Sequence, residues 1–308
     1  MSYLRQIRRM CSVTFVAVAA ASLAACDVVI NSMDGEFGGG RAKAEQNYAK
    51  TFTLTGPDAA FDLVNTSGSI TVEAVDGTTV EVKAVITARG ATEEAANELL
   101  KQVVIKDEAS PSKVKIQTTQ TGKRRSIDVK YTIRVPRTVK INVQNVNGAI
   151  DVTGVAATVR VETTNGGVKA RGLGSSIDAS TTNGGIDIQM TGLGGEGVRL
   201  DTTNGGIDLR LPADAKATLS ARCVNGGISV TDLPFEKDAE SNRRKVDGKI
   251  NGGGVAIKIE TVNGGVRVRQ AQTGAKENGK STADLSGPTT GHALIVLKML
   301  KGLHGHAG

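Results

Sequence analysis

The sequence predicts an all-β protein, a β-solenoid in which one chain winds into stacked coils. Its 308 residues include 38 glycines and only six prolines. In a chain rich in Val, Ile and Thr, this composition is typical of short strands joined by tight turns. A short motif also recurs at near-constant intervals, and apolar and polar residues alternate around each copy. Such internal repetition is the signature of a repeat architecture.

The repeated motif is Thr-Thr-Asn-Gly-Gly. It begins at Thr163, Thr181 and Thr202, and a first, looser copy begins at Asn65. The asparagines of the clearest copies are Asn147, Asn165, Asn183, Asn204, Asn225 and Asn263. They are spaced 18, 18, 21, 21 and 38 residues apart, and the last interval is about two repeats. Each repeat therefore has the length of one coil.

Strands are predicted on both sides of the motif because apolar residues alternate with polar ones. If one strand face continues into the motif, Val159, Val161, Thr163 and Asn165 all point inward. The two glycines that follow allow a corner that resets the alternation.

Two architectures fit this pattern. In a β-solenoid, equivalent residues stack about 4.8 Å apart, and the six asparagines form a ladder of hydrogen-bonded amides. In the alternative, each Asn-Gly is a two-residue hairpin turn within a meander or a propeller. We favour the solenoid, with right-handed winding, because a hairpin does not require the Thr pair that precedes Asn-Gly.

Residues 82–140 interrupt the repeats and are predicted to form a cap that contains a short helix and extra strands. Residues 92–101 place acids early and Lys late, as helices do. Residues 103–106, 113–118 and 127–135 have strand patterns, and Pro136 ends the last one. Residues 236–249 are charged and are predicted to be a second, loop-like insertion.

The N-terminus has the features of a bacterial lipoprotein signal. Three arginines precede an apolar stretch at residues 12–25, which ends in Leu-Ala-Ala immediately before Cys26. The sequence therefore predicts a signal peptide over residues 1–25 and lipid attachment at Cys26. Residues 26–50 are interpreted as a flexible tether, residues 51–270 as the solenoid, and residues 271–308 as a linker and C-terminal tail.

The repeats resemble those of a known family. The features that carry the resemblance are the segment ending in Val135-Pro136, the Thr-x-Asn-Gly series, and the glycine-rich residues 251–254 before the final copy. Over about residues 60–270 they look like the DUF4097 family of adhesin-like β-strand repeat proteins. The resemblance implies a fold similar to a β-helix and an association with the cell envelope. It implies no catalytic residues.

Few residues in the sequence suggest a metal-binding or catalytic site. The residues that follow each corner at one equivalent position are Asp151, Lys169, Asp187, Asp208, Ser229 and Arg267. We expect them to form one outward column, in which a Ca²⁺ between Asp187 and Asp208 is the alternative to a solvated column. A lyase-like site built from Asp201, Asp208 and Arg199 is a further alternative. These residues follow the repeat, whereas functional sites usually break it.

The net charge and composition limit the classes of partner that the chain is expected to bind. The net charge of +7 includes the signal-region arginines, so it does not indicate nucleic-acid binding. The chain has no Trp, three Tyr and five Phe, too few aromatic side chains for base stacking. Two basic runs, residues 123–125 and 243–245, are candidates for contact with anionic lipids or acidic glycans.

The expected function is that of a non-enzymatic lipoprotein, without cofactor or metal. It would be anchored in the cell envelope by lipid on the periplasmic face of either membrane or on the cell surface. Its repetitive surface would bind a glycan or protein partner for adhesion. An envelope-stress sensor or scaffold and a polysaccharide-active β-helix enzyme are the alternatives.

Overall fold

The computed structural model describes residues 42–56, 58–121 and 126–271. These residues form two β-sheets around one continuous hydrophobic core, together with one short helix. In chain order the elements are β1 (Ala42–Thr53), β2 (Ala60–Val64), β3 (Ile70–Val75), β4 (Thr79–Gly90), α1 (Glu93–Leu100), β5 (Val103–Ser110), β6 (Lys113–Gln120), β7 (Ile127–Pro136), β8 (Lys140–Asn147), β9 (Ile150–Thr153), β10 (Val159–Asn165), β11 (Val168–Leu173), β12 (Ile177–Asn183), β13 (Ile186–Met190), β14 (Val198–Asn204), β15 (Ile207–Leu211), β16 (Ala217–Asn225), β17 (Ile228–Thr231), β18 (Phe235–Lys237), β19 (Lys245–Ile250), β20 (Val255–Asn263) and β21 (Val266–Gln270).

Each repeat contributes one strand to each sheet. Sheet I has the order β1-β4-β7-β3-β9-β11-β13-β15-β21-β17, and sheet II has the order β18-β19-β16-β20-β14-β12-β10-β8-β2-β6-β5. Neighbouring coils pair in parallel and in register, so that Asn165 lies opposite Asn147 on one side and Asn183 on the other. Parallel pairing confirms the solenoid and excludes the hairpin alternative, because strands joined by a two-residue hairpin are antiparallel.

The core follows the alternation that the sequence shows. In β10, Val159, Val161 and Thr163 are buried, whereas Arg160 and Glu162 are exposed. The same parity holds in the stacked strands, so that aliphatic side chains from both sheets meet in a single core. This pattern fixes the register, because a slip of one residue would expose every apolar side chain of a strand.

The stacking order differs from the chain order at both ends of the described stack. The coil β6/β7 lies outside β2/β3, although it follows it in the chain. At the other end, β20/β21 is inserted between β14/β15 and β16/β17. The interval of 38 residues between Asn225 and Asn263 therefore does not span two stacked repeats. It is the connection by which the chain returns to fill an interior position.

Antiparallel strands cover most of the stack ends. Beyond β7, sheet I continues with β4 and β1, and sheet II ends with β5. At the far end, β19 and β18 extend sheet II beyond β16, whereas sheet I ends at β17. Within residues 82–140, α1, β5, β6 and β7 lie where the helix and strands were expected, but β6 and β7 form the outermost parallel coil of the stack rather than a separate cap. Thr92 caps α1, because its hydroxyl accepts a hydrogen bond from Ala95 N at 3.2 Å.

Two sequence interpretations need correction. Residues 42–50, which we assigned to the tether, form most of β1 and pair with β4. The segment 236–249, predicted as a loop, contributes to β18 and β19. β1 and β18 are edge strands, and the charged side chains that protect such edges obscure the strand pattern in both segments. Among the described residues, no helix reaches the length and apolarity needed to cross a lipid bilayer.

Candidate binding surface

The six asparagines of the motif form a continuous ladder of side-chain amides. Each donates to the Oδ1 atom of the next at 2.8–2.9 Å, in the order Asn225, Asn263, Asn204, Asn183, Asn165 and Asn147. The amides are exposed along the corner, so our expectation that Asn165 points inward is wrong. The turn begins at the Asn itself and rotates its side chain out of the core.

A second, buried ladder runs beside the first and consists of the preceding threonines. Thr181 Oγ1 donates to Gly166 O of the neighbouring coil at 2.9 Å, and Thr202 makes the same bond to Gly184 O at 2.9 Å. Asn145 takes the Thr position in the coil next to that of Thr163, where its amide donates to Gly68 O at 2.9 Å. The polar column satisfies corner carbonyls that would otherwise be buried without a partner. Sequence reasoning identified this column but not its hydrogen-bond acceptors.

The first glycine of each motif is required by the close approach of the coils. A Cβ on Gly184 would collide with the carbonyl group of Gly166, and a Cβ on Gly205 would collide with that of Gly184. Neither Gly184 nor Gly205 has a φ in the left-handed region. At these two positions, steric exclusion between coils, rather than backbone strain, therefore explains the glycine, whereas Gly148 in an earlier copy also has a positive φ of 138°.

The second glycine has a different environment. A Cβ on Gly185 would lie 3.3 Å from Gly206 O, a close contact that small shifts can relieve. Ala149 occupies the equivalent position in an earlier coil. Because this outward column carries no side chain larger than the methyl group of Ala149, sheet I has a groove of about 660 Å³ next to the corner. Its floor is the column Ala149, Gly167, Gly185, Gly206, Gly265 and Gly227.

One wall of the groove is the predicted outward column. Register pairing gives the order Asp151, Lys169, Asp187, Asp208, Arg267 and Ser229 along the stack. Asp187 and Asp208 are adjacent, as predicted. Arginines contact both carboxylates. Arg210 lies 3.1 Å from Asp187, and Arg269 lies 2.9 Å from Asp208.

Two alternative sites suggested by the sequence can be compared with this wall. Cations already compensate Asp187 and Asp208, and the described residues contain no cluster of three or more metal-ligating side chains. The lyase-like set is not assembled, because Arg199 and Asp201 lie on sheet II and Asp208 lies on sheet I. Burial raises the pKa of Asp201, and the adjacent Arg199 opposes that rise.

The chain matches the family described as Toastrack DUF4097 over residues 60–269. This match covers about two thirds of the sequence. The chain belongs to this family. The matched Toastrack region begins with β2 and ends within β21, so it contains every stacked coil and excludes β1.

Solved structures similar to this Toastrack chain include a candidate cell adhesion protein from Clostridium sporogenes, with a TM-score of 0.42 and 12% identity over 73% of this chain and 100% of its own. A candidate adhesin from Bacteroides fragilis has a TM-score of 0.37 and 11% identity over 73% of this chain and 97% of its own. A candidate lipid binding protein from Parabacteroides distasonis has a TM-score of 0.23 and 9% identity, with the same coverage. No curated protein is significantly similar to the chain.

Several predicted features of the Toastrack chain lie outside the described residues. They are the signal peptide, Cys26, the basic run 123–125 and the tail after residue 271. Cys223 is described, and it occupies the buried Thr column opposite Thr261, as its place in the repeat predicts.

Proposed function

We propose that this chain is a non-enzymatic lipoprotein of the cell envelope that binds an envelope glycan or protein through the groove of sheet I. The observation that carries this proposal is the continuity of the groove across six stacked coils. A rigid stack presents equivalent groups about 4.8 Å apart. An extended polymer that lies along it makes many weak contacts, whose combined affinity exceeds that of any single contact.

The ion pairs of the wall support a role in binding. Asp208 lies 2.9 Å from Arg269, 3.5 Å from Arg210 and 3.6 Å from Arg267. Charge-assisted contacts with several guanidinium groups hold a carboxylate in one orientation. Such a fixed group can accept hydrogen bonds from a ligand.

Lipid on Cys26 would hold the stack at a membrane. Two or three acyl chains bind a bilayer firmly, whereas one chain binds it only marginally. The described body begins at Ala42 in β1, which is the edge strand at one end of sheet I. The groove, on the more distant coils, would then face the envelope space.

A glycan and peptidoglycan binding array with the full-length chain tests the function. The double variant Gly185→Thr/Gly206→Thr fills the groove with residues that favour strands. We expect it to fold and to lose binding at least about tenfold, as when ordered contacts are replaced by a clash. The matched control, Ser180→Thr/Ser220→Thr, adds two methyl groups to sheet II and should bind normally.

Two outcomes would contradict the proposal. Undiminished binding by the folded groove variant would show that the groove is not the site. Turnover of any sugar polymer by the wild-type chain would show that the protein is an enzyme.

The anchor is tested separately by metabolic labelling with a fatty acid in cells. Wild-type chain should incorporate the label, and Cys26→Ser should not. Label retained on Cys26→Ser would refute the assignment of Cys26 as the lipid attachment site.

A further inference from the structure

The basic run at residues 243–245 is held on the last coil by a rigid turn. Asn242 Oδ1 accepts hydrogen bonds from Arg244 N at 2.8 Å and from Lys245 N at 3.0 Å. The carbonyl groups of Arg243 and Arg244 accept from Ile228 N at 3.1 Å and from Cys223 N at 2.9 Å. Two exposed arginines are therefore fixed at the corner of the coil β16/β17, rather than carried on a free loop.

This turn brings Arg243 to the end of the groove. A Cβ placed on Gly227 would lie 3.5 Å from Arg243 Nε, so the arginine side chain lies next to the groove floor. Ser229 and Arg267, which are neighbours in register, line the same end. We call Arg243, Arg244 and Arg267 the terminal arginine cluster.

The positive charge of this cluster is poorly compensated. Within the described part of the chain, no ion pair involves Arg243 or Arg244, and the contact between Arg267 and Asp208 is 3.6 Å long. Nearby acids have other partners. Glu260 pairs with Lys258 at 3.0 Å, and Asp247 pairs with Lys245 at 3.4 Å. In the insertion before the turn, the other acids occupy residues 232–240, ahead of the basic run.

We propose that the terminal arginine cluster binds the carboxylate or phosphate groups of an anionic envelope glycan. Guanidinium groups recognise such groups through paired, charge-assisted hydrogen bonds, and the hydroxyl of Ser229 offers a further donor. The turn already fixes the backbone of Arg243 and Arg244, so binding need order only their side chains.

The position of the cluster favours a glycan over the anchoring membrane, a choice that rests on the proposed anchoring at Cys26. Sheet I has ten strands, with β1 at one edge and β17 at the other. At about 4.8 Å per strand, these edges lie about 43 Å apart. Because the described chain begins in β1, the cluster lies at the opposite edge of sheet I from the first described residue.

The experiment measures binding of the full-length chain in detergent to immobilised polygalacturonate, with neutral dextran as the comparison. We expect binding to polygalacturonate alone, weakening as salt is added. The variant Arg243→Gln/Arg244→Gln should lose at least about tenfold in affinity, since hydrogen bonds to charged groups contribute that much. The control Arg134→Gln/Arg160→Gln removes the same charge at two exposed ion pairs and should bind as the wild type does.

Three results would overturn the inference. Equal losses in the two double variants would show a response to net charge alone. Cluster-dependent binding to phosphatidylcholine vesicles that contain phosphatidylglycerol, without binding to polygalacturonate, would identify a membrane contact instead. Equal binding to dextran would show that anionic groups are not recognised. None of these measurements requires lipid on Cys26 or an open groove, so the inference and the proposed function can fail independently.

Discussion

The two glycines of each motif give opposite predictions for neighbouring positions. In Gly184→Ala, the added methyl group meets the carbonyl group of Gly166, which belongs to the backbone of the adjacent coil and cannot rotate away. In Gly185→Ala, the methyl group meets Gly206 O at 3.3 Å, and Ala149 already shows that a coil accepts alanine there.

The destabilisation expected for Gly184→Ala depends on how far the adjacent coil must move to make room for the added methyl group. Separating the two coils by about 1 Å would break the close contacts of a parallel ladder, including the 3.0 Å hydrogen bond from Gly166 N to Asn183 O. Overpacking and one or two weakened hydrogen bonds cost about 3 kcal/mol in the free energy of unfolding. For Gly185→Ala, the reduced entropy of the unfolded chain offsets the tight contact, and the change should stay within about 0.5 kcal/mol.

Thermal unfolding of the full-length variants, followed by circular dichroism, separates the two cases. At roughly 2–4 °C per kcal/mol for a domain of this size, Gly184→Ala should lower Tm by about 6–12 °C. Gly185→Ala should change Tm by less than about 2 °C. Equal Tm values for the two variants would refute the steric explanation of the first glycine.

Three further predictions concern the ladders and the core. Asn183→Ala removes two amide hydrogen bonds and should cost about 1–2 kcal/mol in urea unfolding, whereas Asn225→Ala, at the end of the ladder, should cost about half as much. Thr202→Val removes the hydrogen bond to Gly184 O and should lower the free energy of unfolding by about 1 kcal/mol. Cys223→Thr restores the hydroxyl that the buried Thr column uses elsewhere, so it should raise the free energy of unfolding or leave it unchanged. Burial raises the pKa of Tyr131 to about 12, so the unfolded chain loses that proton first as pH rises. Between about pH 10 and 12 the wild type should lose about 2 kcal/mol of stability that Tyr131→Phe does not lose, whereas near pH 7 Tyr131 contributes no pH dependence.

Local pattern was enough to predict the interior coils. The alternation at Val159 and Val161 fixes one buried face, and the identity of Thr163 and Asn165 across copies fixes the register. The order of the coils could not be predicted in this way. Each motif satisfies its neighbour equally well, so Asn204 can pair with Asn263 as readily as with Asn225. The stacking order of the coils depends on the lengths of the connections between them and on the capping strands, which do not contain the repeated motif.

The groove was only half predictable. Its charged wall follows from the equivalent positions of Asp187 and Asp208 in the repeat. Its floor does not, because sequence alone cannot distinguish a glycine required by packing, such as Gly184, from one that packing tolerates as alanine, such as Gly185. That distinction depends on distances between coils. The position of the turn at Asn242 could not be predicted either, since the backbone groups that hold it, Cys223 N and Ile228 N, belong to the preceding coil.

The changed coil order has a consequence for how the stack tolerates damage. Repeat arrays usually survive loss of a terminal repeat, because each repeat contacts only its neighbours. Here residues 255–270 form β20 and β21, which lie between β14/β15 and β16/β17. Removing them would delete an interior coil and separate β16, β19 and β18 from the rest of sheet II. Arg243 and Arg244 would be detached with them, and Arg267, which lies in β21, would be deleted. The stack can therefore present its groove and its basic end together only when this late segment is in place. The last coil, β16/β17, therefore depends on a segment that follows it in the chain, which simple repeat order would not require.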